Sequence, residues 1–279
     1  MTRLRDLDTL DDFDAVVRLQ REVWGEDYDD HVPRSLFVVA VKTGGILIGA
    51  EDDTGRLVGF VFSVPGVRHG HALQWSHMLG VMPAARGQAL GLRLKLAQRD
   101  RALAQGCDLI EWTYDPLLAG NAHLNVRRLG CVAESYVENV YGASTSPLHA
   151  GSPTDRFIAS WHVASPHVAR RVEAGAIVAR DAGIGAAPAV LPTLPDGAFR
   201  GPGEPQLDHD APRLRVEIPA DFLRMLGAAP DLALAWRYAS RRVFRTYFAR
   251  GYRVVDVDAE RGRERPSYLL ARREPIAAR

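Results

Sequence analysis

The sequence predicts a mixed α/β fold in which antiparallel hairpins and strand-helix crossovers share a sheet, and three observations carry that reading. Apolar residues change period along the chain, from helical spacing over 9–24 to β-rich runs over 46–50, 57–64 and 72–81, then back to helical spacing over 87–105. The elements follow as two helices, a hairpin, strand, helix, strand, helix and two strands, an order that mixes antiparallel with crossover connections. Finally, the apolar run ending Leu79-Gly80-Val81 passes through Met82-Pro83-Ala84-Ala85-Arg86-Gly87-Gln88-Ala89-Leu90-Gly91 straight into a helix.

Each element has its own signal. Thr9 to Trp24 is an amphipathic helix capped by Thr9 or Asp11, with Phe13, Val16, Val17 and Leu19 on its apolar side. A short helix starts after Pro33. Ile46–Ala50 and Leu57–Val64 form a hairpin around Glu51-Asp52-Asp53-Thr54-Gly55, whose Asp and Gly residues accept turn dihedrals. Ala72–Val81 is the next strand and Gly87–Gln105 the helix after it, closed by Gly106. Leu109–Tyr114 is a strand, Leu117–Leu129 a helix ended by Gly130, and Val132–Tyr141 and Phe157–Val163 are strands flanking a Gly/Ser/Pro-rich loop.

Beyond residue 163 the pattern changes. A helix covers Pro166–Ala174, and Ala182–Pro212 is rich in Pro and Gly without apolar periodicity, which reads as linker. Arg215–Ile218 is a strand, Asp231–Arg250 a long helix, and Tyr252–Val257 with Ser267–Ala271 a hairpin. The expected domains are therefore 1–163, a helix and linker over 164–212, and a small C-terminal α/β domain over 213–279. The helix-Gly-strand junction at Gly251 repeats the one at Gly130, so the last domain is either a degenerate half-copy of the first fold or a small domain that covers it or pairs two chains into a homodimer.

Composition excludes several classes of partner. The 279 residues carry 35 basic and 34 acidic side chains, a net charge of +1, which gives no electrostatic basis for binding nucleic acid or an anionic membrane. Basic residues are almost all Arg, with Lys only at 42 and 95, a bias from which no chemistry is read. Cys107 and Cys131 form neither a disulfide framework nor a ligand set, so a reducing cytoplasm is expected. The N-terminal residues show no secretory h-region, and no apolar run has the length of a membrane span. His69 with His71, and Asp208-His209-Asp210, lack further ligands, so no metal is expected.

The strand-turn-helix segment is anion-binding architecture. The amides of Arg86 to Gly91 would lie at a helix start, where donors are unpartnered and the helix dipole is positive. It is not a P-loop, because Leu92 and Arg93 follow Gly91 where Lys-Ser/Thr is needed, nor a dinucleotide fingerprint with three spaced glycines. Arg86-Gly87-Gln88-Ala89-Leu90-Gly91 resembles the Gln/Arg-x-x-Gly-x-Gly/Ala cofactor segment of the GNAT superfamily of acyl-CoA N-acyltransferases. Ala89 replaces one glycine, which costs little if that position has helical dihedrals.

The resemblance spans roughly 5–163. It implies a mixed, mostly antiparallel sheet flanked by helices, and transfer of an acetyl or succinyl group from acyl-CoA to a small-molecule amine such as an amino acid. It further implies that a main-chain N–H of Leu79, Gly80 or Val81 polarises the thioester and that Arg86, Gly87, Gln88, Ala89, Leu90 and Gly91 hold the diphosphate. Asn121 and Asn125, one helical turn apart, could bond the pantetheine arm, although the family's Asn sits two positions before Asn121, which could equally cap the helix. Gly80 would let the ligand approach. His77 corresponds to a His thought to take the amine proton in arylalkylamine N-acetyltransferases, although a lone His is as readily an ordinary core or surface residue. Glu111 is the competing base. The family's Tyr general acid is replaced by Val126, leaving Tyr114 or Tyr136 for that role. Trp24, Phe62, Trp75 and Trp112 could line the acceptor cleft or belong to the core, and Arg68 or Arg156 could hold an acceptor carboxylate. A non-catalytic acyl-CoA-binding module is the alternative.

Overall fold

A computed structural model describes residues 2–26, 28, 30–68, 70–142, 152–173, 181–260 and 262–272. In chain order the elements are β1 (Arg3–Asp6), α1 (Leu10–Trp24), α2 (Arg34–Lys42), β2 (Leu47–Glu51), β3 (Leu57–Arg68), β4 (His71–Val81), α3 (Leu90–Ala104), β5 (Leu109–Tyr114), α4 (Ala119–Ala122) running on as a π-helix (His123–Arg128), β6 (Val132–Val137), β7 (Arg156–His162), α5 (Pro166–Glu173), β8 (Ala189–Leu191), β9 (Thr193–Asp196), β10 (Phe199–Pro202), β11 (Arg213–Glu217), α6 (Phe222–Ala228), α7 (Pro230–Ala249), β12 (Tyr252–Asp258) and β13 (Ser267–Arg272). The fold is mixed α/β. Ladders are antiparallel except β4 with β5 and β8 with β11 among the pairings of the described residues.

The described residues fall into two compact units, within 1–112 with 161–169, and within 113–160 with 170–279. This differs from the division at 163 that the sequence suggests, because β6 is hydrogen-bonded to β12, Ala133 opposite Val254, which groups residues 113–160 with the C-terminal strands.

In the first unit the strand order is β1-β2-β3-β4-β5. Thr9 caps α1 through a reciprocal box in which its hydroxyl accepts from the Asp12 amide while Asp12 accepts from the Thr9 amide. Phe13, Val16 and Leu19 of α1 and Phe37 of α2 pack on Phe60, Phe62 and Met78. Each such buried side chain contributes about 1.5–3 kcal/mol. β1 escapes the sequence pattern because its charged alternation gives no apolar face. Its Arg5 is tied instead to Glu51 and Asp12, both at 2.6 Å.

In the second unit the order is β7-β6-β12-β13-β11-β8. The expected linker over 182–212 holds three strands, and the helix α6 also went unread. β8, β9 and β10 are three or four residues long, too short for periodicity to show, yet Val190 and Leu191 are fully buried. The expected helix over 117–129 starts at Ala119 and widens to a π-helix from His123. Half of the loop between β6 and β7, residues 143–151, lies outside the described residues.

The half-copy alternative concerns the order of elements on either side of the two glycines. β11, the α6–α7 pair, Gly251, β12 and β13 repeat the order β5, helix, Gly130, β6 and β7. Both hairpins carry a bulge three residues past the glycine, after Ala133 in β6 and after Val254 in β12, and those two equivalent residues face each other in the ladder. After β8 comes the β9–β10 hairpin rather than a Gly-rich turn and helix.

Candidate functional site

The turn between β4 and α3 delivers a cradle of main-chain donors. A 3-10 turn (Pro83–Ala85) follows Met82, and the Arg86 amide closes it by donating to the Pro83 carbonyl at 3.2 Å, so Arg86 is not a free main-chain donor as the sequence suggests. Its side chain donates from Nε to the Val81 carbonyl at 3.2 Å. Gly87 follows at φ +84°, and α3 begins with the Arg93 amide bonded to the Ala89 carbonyl. The amides of Ala89, Leu90, Gly91 and Leu92 therefore have no acceptor among the described residues, and the segment 86–89 is exposed. Four aimed donors at the positive end of a helix are suited to a diphosphate.

Ala89 does not have helical dihedrals. It sits in the left-handed region at φ 53°, ψ 21°, where an L side chain is strained. The replacement of glycine is therefore less neutral than the sequence suggests. Ala89→Gly is expected to stabilise the chain by about 1 kcal/mol, a rise in Tm of roughly 2 °C. An unchanged or lower midpoint in thermal unfolding would contradict this.

β4 is shaped twice before it reaches the turn. Ser63 pairs with Ser76 and Phe62 with Met78, which leaves His77 as the extra residue of a β-bulge. The bulge swaps the faces of the strand, so that Gln74 and Ser76 before it share a side with Leu79 and Val81 after it. Parallel pairing with β5 is confined to Gln74 opposite Ile110 and Trp75 opposite Glu111. From Ser76 onward that edge of β4 has no ladder partner in the first unit, and an unpaired edge offers main-chain donors and acceptors.

His77 is exposed, and its ring meets Phe62 edge-on at 6.3 Å. The surrounding bulk lowers its pKa below the ordinary value, with Asp30 opposing the shift. Glu111 is buried and bound by Arg68 Nη1 at 2.5 Å, while Arg68 itself is 44% exposed. Glu111 is thus enclosed and engaged by Arg68, whereas His77 stands open to solvent.

Other residues singled out by sequence separate in the structure. Phe62 is fully buried under α1 and α2, stacked edge-on against Phe37 at 4.8 Å, so it is core and does not line a cleft. Trp24 is half-buried against Phe60 and Tyr28, and Trp75 is half-buried beside Val64. A Cβ on Gly80 would come within 2.7 Å of Phe60 and 3.1 Å of Trp24, so this glycine is required by core packing rather than by ligand approach.

Tyr114, Asn121, Asn125 and Arg156 belong to the second unit. Burial pushes the Tyr114 hydroxyl pKa up, which weakens it as a proton donor. Asn121 is exposed and does not cap α4, whose N-cap is Leu118, whereas Asn125 is buried in the π-helix. Arg156 is buried with Asp115 at 3.6 Å and is not offered to a carboxylate ligand. Of the residues weighed for metal, His69 lies outside the described residues and Asp210 is ion-paired with Arg250 and Arg272.

Two features escaped the sequence reading. The bulge at His77 is set by cross-strand register, which one strand does not encode. Lys95, on the buried side of α3, is 2% exposed, and its being one of two lysines among many arginines was the available signal.

No family model matches the chain, and no curated protein matches it. Among solved structures it is similar to the GCN5-related glucosamine N-acetyltransferase region of a fungal multi-domain GH3 β-N-acetylglucosaminidase, at 23% identity and TM-score 0.35, covering 40% of this chain and 13% of that one. It is also similar to a chain of the NatC complex bound to Gag peptide and CoA, at 13% identity and TM-score 0.48, covering 58% of this chain and 98% of that one. A third is the ribosomal-protein-S18-alanine N-acetyltransferase from Escherichia coli, at 16% identity and TM-score 0.47, covering 59% and 96%.

Proposed function

We propose that the chain is a GNAT-type acyltransferase, binding acyl-CoA with its diphosphate on the amides of residues 89–92 and passing the acetyl or succinyl group to the amine of a small molecule such as an amino acid. One observation supports this above the others: an unpaired strand edge, a bulge and a free amide cradle follow one another within residues 76–92. The pantetheine arm would lie along the edge of β4, which brings the thioester carbonyl to the main-chain N–H groups of residues 79–81.

The amine nitrogen attacks the thioester carbon, and a main-chain N–H stabilises the developing oxyanion. His77, neutral at working pH, takes the ammonium proton through water. Collapse of the tetrahedral adduct breaks the C–S bond, and the coenzyme leaves as a thiolate, whose pKa of about 8.5 makes a general acid dispensable. Arg68, held in place by buried Glu111, is the group suited to an acceptor carboxylate. Cys107 and Cys131 are buried and form no disulfide, in keeping with a reducing cytoplasm, and among the described residues no helix is long and apolar enough to cross a membrane.

A thermal-shift screen against acyl-CoA esters, followed by free-thiol release over amino acids, polyamines and peptides, tests the proposal. Stabilisation and turnover are expected. No stabilisation by any ester refutes it, and binding without turnover favours the non-catalytic module.

The pH profile tests the base. Because a base works deprotonated and the His77 pKa is lowered, kcat/KM should rise along an acidic limb whose midpoint lies below the ordinary His value of about 6.5. His77→Gln should remove that limb and slow turnover while leaving coenzyme affinity unchanged. An identical profile in the variant eliminates His77.

A further inference from the structure

A single buried ammonium stands where β4 and β5 part. Lys95, on α3, donates from Nζ to Ser76 Oγ at 2.8 Å and to Gln98 Oε1 at 3.1 Å. The same nitrogen lies 3.5 Å from the centroid of the Trp112 ring. Ser76 in turn donates to Gln98 Oε1 at 3.1 Å, and all three partners are buried. The positions of these contacts are specific. Ser76 is the residue directly after Trp75, the last β4 residue in the parallel ladder, and Trp112 directly follows Glu111, its partner on β5. Ser76 also directly precedes the bulge at His77.

Two parallel strands left alone would keep pairing, because every unmade ladder bond in a buried sheet costs free energy. Here the ammonium bonds a β4 side chain and lies on the face of a β5 ring, one residue past the last pair on each strand. Its stem starts from the helix whose first turn carries the amide cradle. We infer that Lys95 is a positioning residue that props β4 away from β5 and fixes the spacing between the open strand edge and the amides of residues 89–92. It touches no reacting atom. The inference rests on the acyl-CoA reading, since it is the pantetheine arm that needs the open edge.

The two halves of the coenzyme separate this role from a general structural one. The nucleotide half, adenosine 3′-phosphate 5′-diphosphate, needs only the amide cradle, whereas intact coenzyme A needs the cradle and the open edge together. In Lys95→Met, which keeps the length of the side chain and loses its charge, affinity for coenzyme A should fall about tenfold. Affinity for the nucleotide half should not change. The melting temperature should hold or rise, because replacing a buried ion by an apolar side chain is often stabilising. Ser76→Ala, which removes one anchor and leaves the lysine, should show the same split more weakly.

Equal losses for both ligands, or no loss for either, overturn the prop. Failure of the unsubstituted chain to bind coenzyme A at all overturns the acyl-CoA reading along with it, and that result is distinguishable because it appears before any substitution is made.

Discussion

Gly87→Glu is expected to abolish binding of acyl-CoA while leaving the chain folded. Two effects arise. Gly87 has φ +84°, a conformation that costs an L residue about 1–2 kcal/mol. The new carboxylate would also stand beside a bound diphosphate, and like charges about 4 Å apart repel by about 1 kcal/mol in bulk water and about 4 kcal/mol near a protein surface. The strain lowers stability in the free and bound protein alike, and the repulsion near a protein surface weakens binding by about 100-fold or more. A Cβ at this position meets nothing within 4 Å, so no clash confuses the outcome. Gly87→Ala supplies the strain without the charge and should retain measurable affinity. Calorimetric titration with coenzyme A distinguishes the three proteins, and full affinity in the Glu variant would remove the diphosphate from this turn.

Arg237→Met should destabilise the second unit by about 3–5 kcal/mol. Arg237 is 1% exposed and gives Asp115 two hydrogen bonds, of 2.9 and 2.6 Å. Asp115 also receives the Leu117 amide at 2.9 Å, so its carboxylate orders the chain just after β5. With Arg237 removed, this buried carboxylate keeps only Arg156, at 3.6 Å, as a charged partner among the ion pairs of the described residues. Denaturant unfolding of the variant against the parent measures the loss. A second substitution, Asp115→Leu, should recover much of it, because the cost comes from the stranded charge and not from the missing contact. A loss under about 1 kcal/mol would show that water or Arg156 satisfies Asp115 unaided.

Much of the first unit was legible residue by residue. The helix cap at Thr9, the turn at 52–55 and the strand-turn-helix at 79–91 rest on interactions between residues close in sequence, and local dihedral preferences announce them. Strand and helix patterns in the candidate site were visible for the same reason. The roles of its side chains were not. Phe62 and His77 both lie in β-rich runs, yet one is sealed under two helices and the other stands out at a bulge. The partner of Glu111 is not legible until Arg68, 43 positions earlier, is folded onto it.

The second unit shows the limit most clearly. Arg127 with Asp256, and Arg237 with Asp115, join residues more than 100 positions apart, and no spacing in the chain signals them. β8 exists because the distant β11 holds it, and the short β9–β10 hairpin is anchored from afar, with the Thr193 amide donating to buried Glu217 at 2.7 Å.

By itself, then, the sequence determined where backbone conformation must change, because periodicity, caps and glycines act over a few residues. Only the tertiary structure decided the bulge at His77, the left-handed Ala89 and the buried Lys95 between β4 and β5. The bulge and the buried lysine follow from register and burial, which depend on what lies across the sheet and not on what lies next along the chain.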